Sequence, residues 1–266
     1  MSPPPSPPVC GPVCETVCGP ARGSAPKSDC SLSYCFLQSS PSPVLYLVPT
    51  PIGNLEDITY RAVRILREAD LIACEDTRTS GVLLSHYNID TATTSYHEHN
   101  ERDKSTELIA RLRAGQTIAL ISDAGTPGIS DPGFYLVREA RRADLDVTAL
   151  PGPTALIPAL TASGLPSDRF VFEGFLPKKK GRQTRLAALS EEPRTMVFYE
   201  APYRVLRTLD DFIEAFGAER PAAAARELSK KFEEVRYGTL EEVRSYFAAL
   251  DSIRGEFVFV VGGSDD

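Results

Sequence analysis

The stretch Ile118-Ala-Leu-Ile-Ser-Asp-Ala-Gly-Thr-Pro-Gly-Ile-Ser-Asp-Pro-Gly133 decides how this chain is read. Ile118–Ser122 is a short apolar run of the kind shown by a strand buried on both faces. The loop Asp123–Gly133 then packs three glycines, two prolines and two aspartates into eleven residues, more special-backbone positions than a plain connection needs. Pro132–Ala143 reads as a helix and Asp146–Leu150 as the next strand. In open α/β sheets, ligands sit at such strand ends. Asp123 and Asp131 can each accept hydrogen bonds from ligand hydroxyls or cap the following helix. The Asp131-Pro132 pair is a plain helix start, so Asp131 is assigned to capping. Gly125, Thr126 and Pro127 are assigned to ligand contact.

Working outward, short apolar runs alternate with amphipathic stretches from Val44 onward. Strands are expected at Val44–Val48, Leu71–Cys74 and Thr93–His97. Helices are expected at Ile58–Glu68, capped by Asp57 or Thr59, at Ser80–His86, and at Lys104–Arg113, where Gly115 ends the run. This strand–helix repetition predicts a mostly parallel sheet covered on both faces. After Pro151 the pattern changes. Thr154–Ala162 reads as a helix and Gly164–Asp168 as a linker. The candidates that follow are Phe170–Phe175, Thr195–Tyr199, Ala222–Ala225, Val235–Thr239 and Glu256–Val261, with helices at Tyr203–Phe216 and Leu240–Leu250, and this set is less uniformly parallel. The expected fold class is therefore α/β: an N-terminal α/β domain over 44–158, a C-terminal α/β domain over 159–266, and a ligand cleft between them.

Residues 1–43 are dominated by Pro, Ser, Gly and Cys. That composition cannot bury enough apolar surface to offset chain entropy, so the segment is expected to be disordered, or to precede a misassigned start near Val44. Cys10, Cys14 and Cys18 recur every four residues, but flanking prolines oppose the helix that would align them on a metal. No charged n-region precedes a clean apolar run, which argues against a secretory signal. Only Cys74 lies in the body, so no disulfide scaffold and no metal site are expected, and a reducing cytoplasm is the default. No apolar run is long enough to span a bilayer. The net charge of −7 argues against a general nucleic-acid coating protein, while leaving room for a local basic patch.

Two further Gly/Pro loops follow strands: Pro49-Thr-Pro-Ile-Gly-Asn54 and Pro151-Gly-Pro-Thr-Ala155. Neither is a GxGxxG fingerprint, and no GxxxxGK[ST] phosphate loop occurs. Three such loops on one set of strand ends predict a shared rim. Glu75-Asp-Thr-Arg78 ends the second strand, and its Asp–Arg pair serves equally as a functional or a structural ion pair. His97 and His99 flank Glu98, and histidine's suitability as a proton acceptor at neutral pH makes His97 a candidate base. Lys178-Lys-Lys-Gly-Arg-Gln-Thr-Arg185 is the densest positive segment, enough local charge to meet phosphates, with Lys230 and Lys231 as possible additions.

Together these segments resemble the tetrapyrrole methylase superfamily. The matching text is Leu47 to Thr59, Glu75-Asp-Thr-Arg78, Ser122 to Gly133, Pro151 to Ala155, Phe172-Glu-Gly-Phe-Leu-Pro177, Phe198 to Arg204 and Ala225 to Glu234, covering about Val44 to Gly263. Within it, the chain looks like the branch that methylates the ribose 2′-hydroxyl of a cytidine in small-subunit (16S) ribosomal RNA. The sister branches that methylate corrin precursors carry Gly-Asp-Pro where this chain has Asp123-Ala-Gly-Thr-Pro127, and that departure separates the two. Relatives of the RNA branch often carry a further C-terminal helical extension, so RNA is expected to be gripped by other surfaces here.

The resemblance implies S-adenosyl-L-methionine as cofactor, a homodimer, a cytoplasmic enzyme, and the small ribosomal subunit as partner. Carried over by position, cofactor contacts fall on Pro51, Gly53, Asp123, Gly125, Thr126, Pro127, Ile129, Thr154, Ala155, Phe198 and Tyr199. Candidates for activating the hydroxyl are Glu75, Asp76, Arg78, His97 and Glu200, with Glu98 beside them. Lys178, Lys179, Lys180, Arg182 and Arg185 are the expected RNA contacts. The competing readings are a corrin-precursor C-methyltransferase and a non-catalytic nucleotide- or RNA-binding module.

Overall fold

Alternation along two strands shows how the first half is built. In β2 (Leu71–Cys74) and β4 (Ile118–Ile121), Ile72, Cys74, Ala119 and Ile121 pack into one apolar cluster, while Leu71, Ala73, Ile118 and Leu120 pack into another. Side chains on a strand point alternately to its two faces, so both faces of this sheet are covered. The computed structural model describes residues 43–264. With β1 (Val44–Leu47), β3 (Thr93–Ser95) and β5 (Asp146–Ala149), these strands form an all-parallel sheet in the order β3-β2-β4-β1-β5.

Helices α1 (Tyr60–Glu68) and α2 (Thr77–His86) cover one face through Ala62, Ile65, Leu66 and Leu84. Helices α3 (Glu101–Arg113) and α4 (Phe134–Arg142) cover the other through Leu108, Leu112, Leu136 and Ala140. Leu66, Leu108, Leu112 and Leu136 are completely buried, a gain of about 1.5–3 kcal/mol each over exposure. Chain direction matters more for function. β1 and β4 are neighbours, yet β1 leads to α1 on one face and β4 leads to α4 on the opposite face. Such a reversal opens a crevice at the carboxyl ends of the two strands.

The second half is a mixed sheet built from β6 (Phe170–Phe175), β7 (Thr195–Glu200), β8 (Pro221–Arg226), β9 (Glu234–Thr239) and β10 (Phe257–Val261), in the order β6-β7-β10-β8-β9. Only β6 and β7 run parallel; the other pairs are antiparallel. Helices α6 (Arg182–Leu189), α7 (Val205–Phe216) and α8 (Leu240–Ala248) bury one face around Phe198, Phe212, Phe247, Phe257 and Phe259. A capping box between Thr239 and Glu242 starts α8. The other face carries α5 (Leu156–Ala162), against which Ile52 of the first half also packs. Both sheets lie in one compact unit. The expected α/β class is what the chain adopts, and the boundary expected at 158/159 falls inside α5.

Several elements differ from their expected bounds. α4 starts at Phe134, not Pro132, because Gly133 sits at φ +150° and occupies the cap position. Asp131 is therefore not the helix cap. α2 begins three residues early at Thr77, capped by Asp76 through the Arg78 N–H. The apolar periodicity that marked its body starts only at Val82. β3 stops at Ser95, which leaves His97 in the following turn. Thr59 is the cap of α1. Cys74 is buried and free. The readings of Cys10, Cys14 and Cys18, and of residues 1–42 generally, lie outside the described residues. Among the described residues, no helix is long and apolar enough to cross a membrane.

Candidate active site

The three Gly/Pro loops are fastened into one rim at the crevice. Thr50 and Gly125 exchange backbone hydrogen bonds at 2.8 and 2.9 Å, pairing the loop after β1 with the loop after β4. Gly125 holds φ +81° there, a conformation that costs a glycine little. The Thr50 hydroxyl donates to the Ser122 carbonyl at 3.0 Å in a buried contact. Thr126 Oγ1 donates to the Pro153 carbonyl at 3.0 Å, which adds the third loop. Gly152 is pressed against Pro49 so closely that a Cβ would come within 2.8 Å of the proline Cβ.

Above this rim lies a cleft of about 480 Å3, shared between the two halves. The rim supplies Ile52, Gly125, Thr126, Ile129, Thr154 and Ala155, and the second half supplies Phe175, Tyr199, Phe257 and Val258 from its sheet and Pro202 from the turn after β7. A mostly apolar cleft of this size with a few convergent polar groups is the usual form of a small-molecule site. Its ionisable acids are Glu75, Asp123, Asp131, Glu200 and Glu256, and Thr126, Ser130, Thr154 and Tyr199 add hydroxyls. Burial pushes the Asp131 carboxyl up to about 7, and the neighbouring charges of Glu75, Asp123 and Glu256 add to the effect. Burial, then the charge of Asp123, raises Glu75 as well, opposed first by a hydrogen bond from the Asp123 backbone. His97 Nδ1 is buried without a hydrogen-bond partner.

Beside the cleft, and sharing Asp123 with it, is a trough of about 650 Å3 lined by Pro51, Gly53, Leu55, Asp76, Arg78 and Val82, among others. Arg78 donates twice to the Asp76 carboxylate, which holds that acid at about 2. The Asp76 N–H donates to Asp123 Oδ1 at 3.1 Å.

The structure thus gathers Glu75, Asp123, Gly125, Thr126, Ile129, Thr154, Ala155 and Tyr199 at one cleft, and puts Pro51, Gly53, Asp76 and Arg78 in the adjoining trough. Other assignments are corrected. Phe198 is fully buried in the aromatic core, because its neighbour Tyr199 takes the alternate face of β7. Pro127 is buried within its loop and does not line the cleft. Glu200 borders the cleft, but it is buried and both its oxygens are already engaged, by Arg204, Thr208 and the Ala201 N–H, which marks it as a structural acid. Arg182 is 3% exposed and bound to Asp211 and Thr208, a structural cation and not an RNA contact. Arg185 is matched by Glu173 in a bidentate pair, whereas Lys178, Lys179 and Lys180 stand exposed.

Sequence reasoning missed Asp131 and Glu256 as cleft residues. The signal for Asp131 was present, as a second aspartate in a glycine-rich loop, and was spent on a cap. Glu256 had none.

A parallel sheet with a three-loop rim facing a mixed sheet defines an α/β protein with its ligand cleft between two halves. The chain belongs to the tetrapyrrole methylase family: the family model Tetrapyrrole (Corrin/Porphyrin) Methylases matches residues 44–244. It is 55% identical over 224 residues to the protein of Mesorhizobium japonicum named Ribosomal RNA small subunit methyltransferase I, covering 84% of this chain and 76% of that one. It is also 55% identical over 221 residues to the Pseudomonas aeruginosa protein of the same name, covering 82% and 78%. The fold matches the crystal structure of uroporphyrin-III C-methyltransferase from Thermus thermophilus complexed with S-adenyl homocysteine, with a TM-score of 0.57, 22% identity, and coverage of 83% and 98%.

Proposed function

We propose that this chain is an S-adenosyl-L-methionine-dependent methyltransferase that methylates the ribose 2′-hydroxyl of a cytidine in small-subunit (16S) ribosomal RNA. The observation that carries the reading is the cleft itself, with its carboxylate-lined floor, in a chain 55% identical to proteins named as small-subunit rRNA methyltransferases. The residues present fit the cofactor. Ile52, Ala155, Pro202 and Phe257 offer apolar surface for a purine, and Asp123 and Glu75 accept from ribose hydroxyls or an ammonium. Of the five acidic side chains lining the cleft, Glu200 is matched by Arg204 and Glu256 by Lys230, and the remaining Glu75, Asp123 and Asp131 suit a ligand carrying positive charge. When bound, that cofactor supplies an electrophilic methyl group.

The chain's own contribution is orientation and proton removal. The rigid rim fixes where a ligand lies, and orientation alone accounts for much of a two-substrate acceleration. A 2′-hydroxyl is a weak nucleophile, and a base whose pKa lies near the working pH removes its proton best. Asp131, pushed up to about 7 by burial and then by the like charge of Glu75, is that base in this reading. The exposed Lys178, Lys179 and Lys180 serve as outlying phosphate contacts.

Cytoplasmic location, a homodimer and the assembled small subunit as substrate belong to the same proposal, as does a division of the chain into two domains around α5. The experiment is transfer of labelled methyl to small ribosomal subunits from a strain lacking the enzyme, run beside uroporphyrinogen. Label in RNA alone supports the reading, and label in the tetrapyrrole alone defeats it.

A further inference from the structure

Pro51, Gly53, Asp76 and Arg78 lie in the trough and not in the cleft, and two features mark that trough as more than a surface irregularity. The first is continuity. Asp123 lines both the trough and the cleft, so a group lying in the trough reaches the cleft across a single side chain. The second is Lys230. A Cβ at Gly53 would land on the Lys230 side chain, so the lysine packs directly against a residue of the trough wall. Its Nζ donates to Glu227 at 3.0 Å and to Glu256, a cleft residue, at 2.8 Å. The segment presenting it holds two non-glycine residues at positive φ, Glu227 at +52° and Ser229 at +65°. Strain of this kind persists only where the surrounding structure enforces it, and it concentrates at functional positions. Lys230 therefore touches both a trough residue, Gly53, and a cleft residue, Glu256, while Arg78 is exposed in the trough.

The geometry points to the trough as the subsite for the acceptor nucleotide, its base against Leu55 and Val82, its phosphates toward Arg78 and Lys230, and its ribose meeting the cleft over Asp123. Val82 is 66% exposed, an apolar surface open to a base. Arg78 already has a carboxylate partner in Asp76, and Lys230 has two in Glu227 and Glu256, so a phosphate there shares both cations and does not meet a bare charge. A single unstacked nucleotide is the form in which RNA presents a ribose to a cleft. This inference rests on the rRNA-methyltransferase reading.

The test uses the full chain with Val82→Glu, which puts a carboxylate in the trough, and Arg78→Ala. Each is expected to raise KM for small ribosomal subunits at least tenfold, leaving the calorimetric Kd for S-adenosylmethionine within twofold of the unaltered protein. With a single-stranded ten-nucleotide RNA as probe, Arg78→Ala should flatten the slope of log K against log salt by about 0.7, the loss of one phosphate contact. A KM within twofold of the unaltered protein in both variants overturns the assignment, and so does an equal loss of cofactor affinity. If the unaltered protein transfers no methyl to RNA, the enzyme reading itself fails and the trough assignment falls with it.

Discussion

Thr50 and Gly125, seventy-five positions apart in the chain, pair through both of their backbone hydrogen bonds and so join the loops after β1 and β4. The Thr50 hydroxyl extends the clasp to the buried Ser122 carbonyl. Thr50→Val keeps the shape and removes the donor. Leaving a buried acceptor unmatched costs about 1–3 kcal/mol, and calorimetric melting should show a loss in that range, with weaker cofactor binding because the rim is part of the site.

Two glycines should respond oppositely to alanine. At Gly152 the new methyl meets Pro49 at 2.8 Å, an overpacking expected to destabilise by about 1–3 kcal/mol. Gly81 lies inside α2 with open space where a Cβ would go, and alanine there should stabilise by about 0.5–1 kcal/mol through helix propensity and reduced freedom of the unfolded chain. Denaturant midpoints of the two variants should move in opposite directions.

Asp131 makes a pH prediction whose sign can be worked out. Its folded pKa, about 7, lies above the ordinary aspartate value of 3.8, so between those values the folded state holds the proton more tightly than the unfolded chain. Stability from this group therefore falls as pH rises from about 4 to about 7, and levels off above. Asp131→Asn should lessen that decline. If Asp131 is the base, kcat/KM of the unaltered enzyme should climb with pH and level off above about 7. In Asp131→Asn it should drop by about 10²–10⁴-fold and lose that inflection. A variant that keeps both rate and inflection would rule Asp131 out as the base.

The buried network Arg204–Glu200–Thr208–Arg182–Asp211 yields a structural prediction. Removing one member of a buried pair strands its partner, at about 3–5 kcal/mol. Glu200→Ala and Arg182→Ala should thus lower the melting temperature sharply, and the Arg182→Ala protein that remains folded should bind RNA as the unaltered protein does. Weaker RNA binding at unchanged stability would restore Arg182 as a contact.

The parts of this fold that were legible in the sequence are those set by local pattern. The apolar run at Ile118–Ile121 and the glycine stop at Gly115 are one-dimensional signals, and both hold in three dimensions. The three loops were legible as a rim because Gly and Pro declare themselves. What the sequence did not carry was which face a side chain takes and which partner reaches it from afar. Arg182 and the exposed Lys180 read alike as positive charges until α7 brings Asp211 and Thr208 to Arg182. Asp131 was misread because Gly133, at a φ few residues tolerate, shifts the helix start beyond it. Glu256 joins the cleft only because β10 is inserted between β7 and β8.

The most direct test of the central claim is nucleoside mass spectrometry on 16S rRNA from small subunits that lacked the modification and were incubated with the purified chain and isotopically labelled S-adenosylmethionine. The account predicts label in 2′-O-methylcytidine at one position, dependent on Asp131. Label confined to a base carbon or nitrogen, or an rRNA with no label at all, would contradict it.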